Sequence, residues 1–219
     1  MTTLTEKAHA GGFLITEGDG HFSRDNKTLI TGQNLVAGTV VGILSKLAAT
    51  AAAKSGGNTG NGVFTIDATN PTRPGAKVGV YAVRCITAAV NGGTFRVEDP
   101  DGFVLGDVAV GATFDDDIKF SIADGASDFI VGDGFDVTVA AGTGKVTQYS
   151  ITANVATGAE VPAGILFDSV DATSADKACV VVSRYAEVNG NELTWPAGIS
   201  APQIAAATAQ LAALGIIVR

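Results

Sequence analysis

Few residues in this chain combine the type and spacing that chemistry requires. Its two histidines, His9 and His21, lie in glycine-rich surroundings with no cysteine or second histidine beside either. A zinc or copper centre needs several such ligands converging, so neither reads as a metal ligand. Asp99, Asp101, Asp107, Asp115, Asp116 and Asp117 form an acidic zone that invites a calcium reading. An EF-hand loop needs three oxygen ligands at alternate positions before its glycine and a closing glutamate. DPDGFVLGD offers no third ligand before Gly102 and no closing glutamate, so these carboxylates read as turn residues. GTGK at 142–145 is half of a phosphate loop, but the full pattern wants glycine where Val139 stands and Ser or Thr where Val146 stands. No serine occupies a G-x-S-x-G elbow, and two histidines are too few for a convincing triad. The expectation is a non-enzyme with no cofactor, no metal and no catalytic residue.

The bulk properties narrow the partners. The chain has 219 residues, 46% hydrophobic and 16% charged, enough apolar side chain for a proper core. Its net charge of −8 repels phosphate backbones and anionic lipid, so neither nucleic acid nor a membrane is expected as partner. MTTLTEKAHAGG lacks the basic leader and apolar stretch of a secretion signal. The uncharged run Ala197–Val218 is interrupted by Ser200, Gln203, Thr208 and Gln210 and reads as a short helix rather than a membrane span. Cys85 and Cys179 sit far apart inside strand-like runs and read as buried, reduced thiols.

The elements that hold these residues are mostly strands. Residues 1–33 are polar and glycine-rich around Phe13-Leu14-Ile15, which suggests an extended arm. NLVAGTVVGIL (34–44) is a dense β-branched run split by Gly38 and Gly42, which suggests a buried strand with a tight turn before it. AATAAAKSGGNTGNG (48–62) then dissolves into small residues, marking a boundary. Beyond it, VGVYAVRCI, TFRVED, FVLGDVAV, IKFSIA and FDVTVA alternate apolar and polar between Asn-Gly and Asp-Gly turns, the pattern of a sandwich or barrel. After GTGKVTQYS, VPAGILFDSVDAT and KACVVVSRYAEVNG read as two strands separated by a polar turn, DATSAD, and Asn189-Gly190 signals a hairpin into ELTWP. Ser200 and Gln203 make a capping box with Pro202 in the first helical turn; Ile204, Thr208, Leu211 and Leu214 share a face, Gly215 stops the helix, and IIVR ends as a strand. The fold expected is mainly β with a short C-terminal helix (α+β). Its parts are an N-terminal arm at 1–33, a core from 34–54 plus 143–219, and an all-β, sandwich-like domain inserted at 55–142.

Trp195, the chain's one tryptophan, precedes Pro196 and is therefore pushed into extended geometry. At that corner it reads as a structural anchor between strand and helix, or as a contact between subunits.

Taken together, TLTEKAHAGGFLITEGDGHFSRDN, QNLVAGTVVGIL, AGILFDSVDAT and AEVNGNELTWPAGISAPQIAAATAQLAALGIIVR resemble the lambda-type head decoration proteins of tailed phages and prophages. The resemblance covers residues 1–47 and about 145–219. It implies a structural protein, a small mixed α/β unit that forms homotrimers on the outer surface of the virion capsid. Such trimers bind the major capsid protein at three-fold positions of the expanded head and stabilise it against the pressure of packaged DNA. It further implies an N-terminal arm that gains order on the shell, a role that falls by position on Leu4, Thr5, Ala10, Phe13, Leu14 and Ile15. The stretch at 55–142 has no counterpart in the shortest members. A competing expectation makes it a surface-adhesion or glycan-binding module that contacts a host surface through Phe103, Tyr81 and the aspartate-rich loops.

Overall fold

The structure, a computed structural model, describes residues 8–19, 22–151 and 157–219. The chain is mostly β, with one α-helix, Ala201–Ala213, near its C-terminus. It divides into two compact units. Among the described residues, the first takes those through Ser45 with 143–151 and 158–219, and the second takes 46–142 and Thr157.

The first unit is built on a closed five-stranded barrel in the order Val146–Gln148, Arg24–Leu29, Lys177–Val182, Pro162–Leu166, Val40–Ile43. Val40 and Val41 have no exposed surface, as expected of a β-branched run buried on both faces. A three-stranded sheet pairs Leu14–Glu17 antiparallel, and Ile216–Val218 parallel, with Ala186–Val188. Gln33–Leu35 and Val170–Ala172 make a short ribbon. One core cluster gathers Phe13, Val40, Ile165, Val182, Val188, Leu211 and Ile216, and a second gathers Leu29, Val41, Val146, Leu166, Cys179 and Val181. The helix starts where its cap predicts: the Ser200 amide donates to Gln203 Oε1 at 2.9 Å. It buries Ala207 and Leu211, while Leu214 lies beyond its end and is exposed.

The second unit has two antiparallel sheets. One runs Thr50–Ala53, Gly134–Val139, Gly79–Ala89, Gly92–Glu98, Val104–Ala109; the other runs Thr113–Asp115, Lys119–Ala123, Val63–Ile66. Both feed a single core, with Tyr81, Val83, Phe95, Val97 and Val137 from the first and Phe114, Phe120 and Ile122 from the second. The alternation holds residue by residue: Phe95 and Val97 are buried while Arg96 and Glu98 are not.

Three elements differ from expectation. Residues 24–29, read as arm, form a barrel strand whose first two charges are paired: Arg24 with Glu17 at 2.5 Å and Asp25 with Arg184 at 2.6 Å. Thr50–Ala53, read as part of a loop boundary, forms an exposed edge strand that pairs only with Gly134–Val139. Asn189-Gly190 makes no hairpin. The Asn189 side chain accepts from the Asn191 amide and caps a 3-10 turn at Gly190–Glu192, and Thr194 then bridges Thr39 in parallel. Among the described residues no helix is long and apolar enough to cross a membrane.

Candidate functional site

The groups that invited a chemical reading are tied up in local structure. Asp99 accepts from Lys77 Nζ at 2.5 Å and from the amides of Asp101 and Phe103. The Lys77 hydrogen bond is the main cause holding its carboxyl below the usual range, and Asp101 and Asp99 in turn hold the Lys77 ammonium above its own. Asp115 pairs with Arg73 at 2.5 Å. Lys145 of the half phosphate loop pairs with Asp176 at 2.5 Å, so its charge is already matched. Cys85 and Cys179 are buried and free, and burial pushes both thiols up. Among the described residues no three His, Cys, Asp or Glu side chains converge as metal ligands. Tyr81 is fully buried, with burial pushing its hydroxyl up to about 12, so its side chain is no surface contact; Phe103 is 68% exposed.

The N-terminal residues singled out by position fall into three environments. Leu4 and Thr5 lie outside the described residues, as does His21. Ala10 sits exposed in a turn in which Gly12 donates to the His9 carbonyl and Leu14 to that of Gly11. Gly11 makes the reversal possible: its φ is +65°, and a Cβ there would meet the Phe167 ring at 2.6 Å. Phe13 is 2% exposed and belongs to the core, not to a free leader. Leu14 opens the strand paired with Ala186–Val188, and Ile15, in a register shift between Leu14 and Thr16, is 53% exposed. Leu14–Glu17 is an edge strand, so one side of its backbone faces away from the sheet.

Trp195 is half-buried against the same core as Phe13 and meets Tyr149 edge-on, ring centroids 6.4 Å apart at 80°. Pro196 is also half-buried, and its carbonyl accepts from Ile199 at 3.3 Å ahead of the helix. The segment is pinned from the other side by Gly38, whose carbonyl accepts from Thr194 at 2.9 Å.

Sequence reasoning missed Phe22 and Tyr185. Both are 60% exposed, and their rings stack 5.7 Å apart at 19°. They are 163 positions apart (185 − 22), and no local pattern marks such a pair.

The family described as Bacteriophage lambda head decoration protein D has a model that matches residues 3–216. No curated protein matches the chain. Among solved structures, a crystal structure of Xanthomonas campestris FlgL in space group H3 matches with a TM-score of 0.31 and 19% identity over 52% of this chain and 34% of that one. A second FlgL crystal form, C2, matches with a TM-score of 0.29 and 17% identity, over 61% and 40%. The chain therefore spans well under half the length of those FlgL chains, and likeness at this level carries no argument.

Proposed function

The chain belongs to the bacteriophage lambda head decoration protein D family, and from that membership we propose that it binds the expanded phage head as a homotrimer at three-fold sites and stabilises it against internal DNA pressure. A capsid-decorating role at family level is structural and calls for no nucleophile or cofactor. The match over residues 3–216 is the observation that carries the proposal. The partner is the major capsid protein. The N-terminal segment, including Leu4, Thr5 and Ala10, adds as an extended strand to a sheet edge on the shell, with main-chain hydrogen bonds supplying affinity. Phe13 and Leu14 anchor that segment to the unit behind it.

Holding a peptide in one conformation costs about 1–2 kcal/mol per residue of backbone, so one short segment binds weakly. Three held on one trimer raise avidity by about 10²–10⁴. Trp195, which packs against the core that secures the segment, and Pro196 beside it are proposed as a structural anchor or as a trimer contact. The net charge of −8 suits the outer surface of a capsid, away from packaged DNA.

The test is cosedimentation with expanded, undecorated capsids. The intact chain pellets with them, and a chain lacking residues 2–7 stays folded and remains in the supernatant. Equal binding by the truncated chain removes the segment from the account. Failure of the intact chain to pellet overturns the function.

A second reading, adhesion to a host surface or glycan by the second unit, draws on one observation. Phe103 and Val104 are 68% and 53% exposed, with Lys77 Nζ 5.5 Å from the Phe103 ring centroid. A glycan array probed with the full chain and with Phe103→Ser supports it if a signal appears and is lost in the variant.

A further inference from the structure

Of the large apolar side chains that the first unit leaves exposed, Ile15, Phe22, Tyr185, Leu214 and Ile217 belong to the three-stranded sheet and its corners. One face of that sheet is core: Ala186, Val188 and Ile216 are buried. Side chains alternate along a strand, so Glu187 and Ile217, which are register partners, point to the other face. Tyr185 reaches the same face. A Cβ on Gly215, two residues before Ile217, would lie 3.0 Å from its ring.

Tyr185 is held there against its own backbone preference. Its φ is 46°, in the left-handed region that an aromatic side chain rarely adopts. Asn91 is the other non-glycine residue with positive φ among those described, and it sits in an Asn-Gly turn that favours this geometry. Tyr185 has no such excuse. Its carbonyl accepts from Gly18 at 2.9 Å and from the fully buried Ser23 hydroxyl at 2.8 Å. Next to it, Arg184 donates to the Phe22 carbonyl at 2.8 Å and to Asp25 at 2.6 Å. The corner is thus over-determined, and what it presents to solvent is a stacked aromatic pair.

We propose that this outer face, centred on Phe22 and Tyr185, is a second contact with the capsid shell, distinct from the N-terminal segment; the inference rests on the capsid-decoration reading. Tyrosine is enriched at interface hot spots, strained backbone clusters at functional sites, and a side chain already held in place loses little freedom on binding. Two ion pairs beside it, Arg184 with Asp25 and Arg219 with Glu187 at 2.7 Å, match their own charges, so what the stacked rings add to the face is apolar surface. Its occupant is a protein surface with an apolar recess for two stacked rings. A second copy of this chain fits less well. A stable oligomer interface buries about 800 Å² on each partner, more than Phe22, Tyr185 and Ile217 could expose together. A small anchor suffices when many copies repeat it on a lattice. The face also shares the strand Leu14–Glu17 with the segment assigned to the shell.

The experiment titrates the intact chain, Tyr185→Gly and Phe22→Ser onto expanded, undecorated capsids, and records melting temperature and solution mass of each free protein. Glycine accepts the left-handed φ, so Tyr185→Gly is expected to melt at or above the parent temperature and keep its mass. Both variants are expected to bind about 10-fold or more weakly, on the scale of a lost hot-spot side chain. Parental affinity in both folded variants overturns the second contact while leaving the capsid reading intact. A changed solution mass also overturns it, by assigning the face to contacts between copies. If the intact chain itself fails to bind, the capsid reading falls and this inference with it.

Discussion

The carbonyl of Phe13 accepts the amide hydrogen of Asn189 at 2.8 Å, so the start of the first unit is stitched to its C-terminal third. The Phe13 ring continues the join inward, packed in the cluster that includes Leu193, Leu211 and Ile216. Replacing it by alanine should cost about 3–5 kcal/mol, as for other buried aromatics. Trp195→Ala should cost less, about 2–3 kcal/mol, because the indole is only half-buried. Urea unfolding of the variants measures both. A Phe13→Ala protein as stable as its parent would return that residue to a free leader.

Gly38 and Gly32 share nearly the same left-handed backbone, φ +83° and +84°, but not the same surroundings. A Cβ on Gly38 would lie 2.5 Å from the Glu192 carbonyl oxygen, whereas one on Gly32 meets nothing within 4 Å. Gly32→Ala should therefore lose only the conformational cost, about 1–2 kcal/mol. Gly38→Ala should lose clearly more, since the ELTWP segment must shift. Thermal melts of the pair give the difference, and equal losses would show that the Gly38–Glu192 approach is not tight.

Acid should loosen the first unit in a defined direction. The Arg184 hydrogen bond, aided by Ser183, holds the Asp25 carboxyl below its usual range, and Lys145 does the same for Asp176. A lowered folded value means that the stabilisation is complete above the unfolded value, about 3.9, and is lost as pH falls through the folded value. Stability should be level from about pH 7 to 5 and decline as pH falls below about 4. Asp25→Asn should be less stable at neutral pH and show a shallower decline. A decline as steep as the parent's would remove Asp25 from the linkage.

The connection between the units predicts a clean excision. In the first unit Leu44 donates to the Lys145 carbonyl at 2.9 Å and Gly144 donates to that of Leu44 at 2.9 Å. In the second, Lys46 bridges Ala141 and Leu47 donates to the Ala140 carbonyl at 2.9 Å. Each unit closes its own side of the crossing. Replacing residues 46–142 by an Asn-Gly turn should leave a folded first unit, and residues 46–142 alone should melt cooperatively. Circular dichroism of the two pieces checks this; an unfolded remainder would mean that the first unit depends on the insertion.

What the amino-acid order disclosed and what it concealed divide along one physical line. The Ser200–Gln203 cap, the Asn91-Gly92 turn and the alternation through Phe95–Glu98 and Lys119–Ile122 are local rules, and all appear in the structure. Arg24–Leu29 was hidden because its charged start is matched from outside the strand, Arg24 by Glu17 and Asp25 by Arg184, the latter 159 positions away. Thr50–Ala53 carries no apolar period because all four of its residues are exposed. Tyr185 was hidden because its backbone is held by Gly18, Ser23 and Leu214, none of them a near neighbour in sequence. The Asn189-Gly190 signal misled because the Asn189 side chain capped a 3-10 turn instead of opening a hairpin.

The most direct test of the whole account is an electron cryomicroscopy map of expanded, undecorated phage capsids saturated with this chain. The account predicts added density at the local three-fold sites, three copies to a site, with the N-terminal segment and the Phe22–Tyr185 corner against the shell. Bare three-fold sites at saturating protein would contradict it.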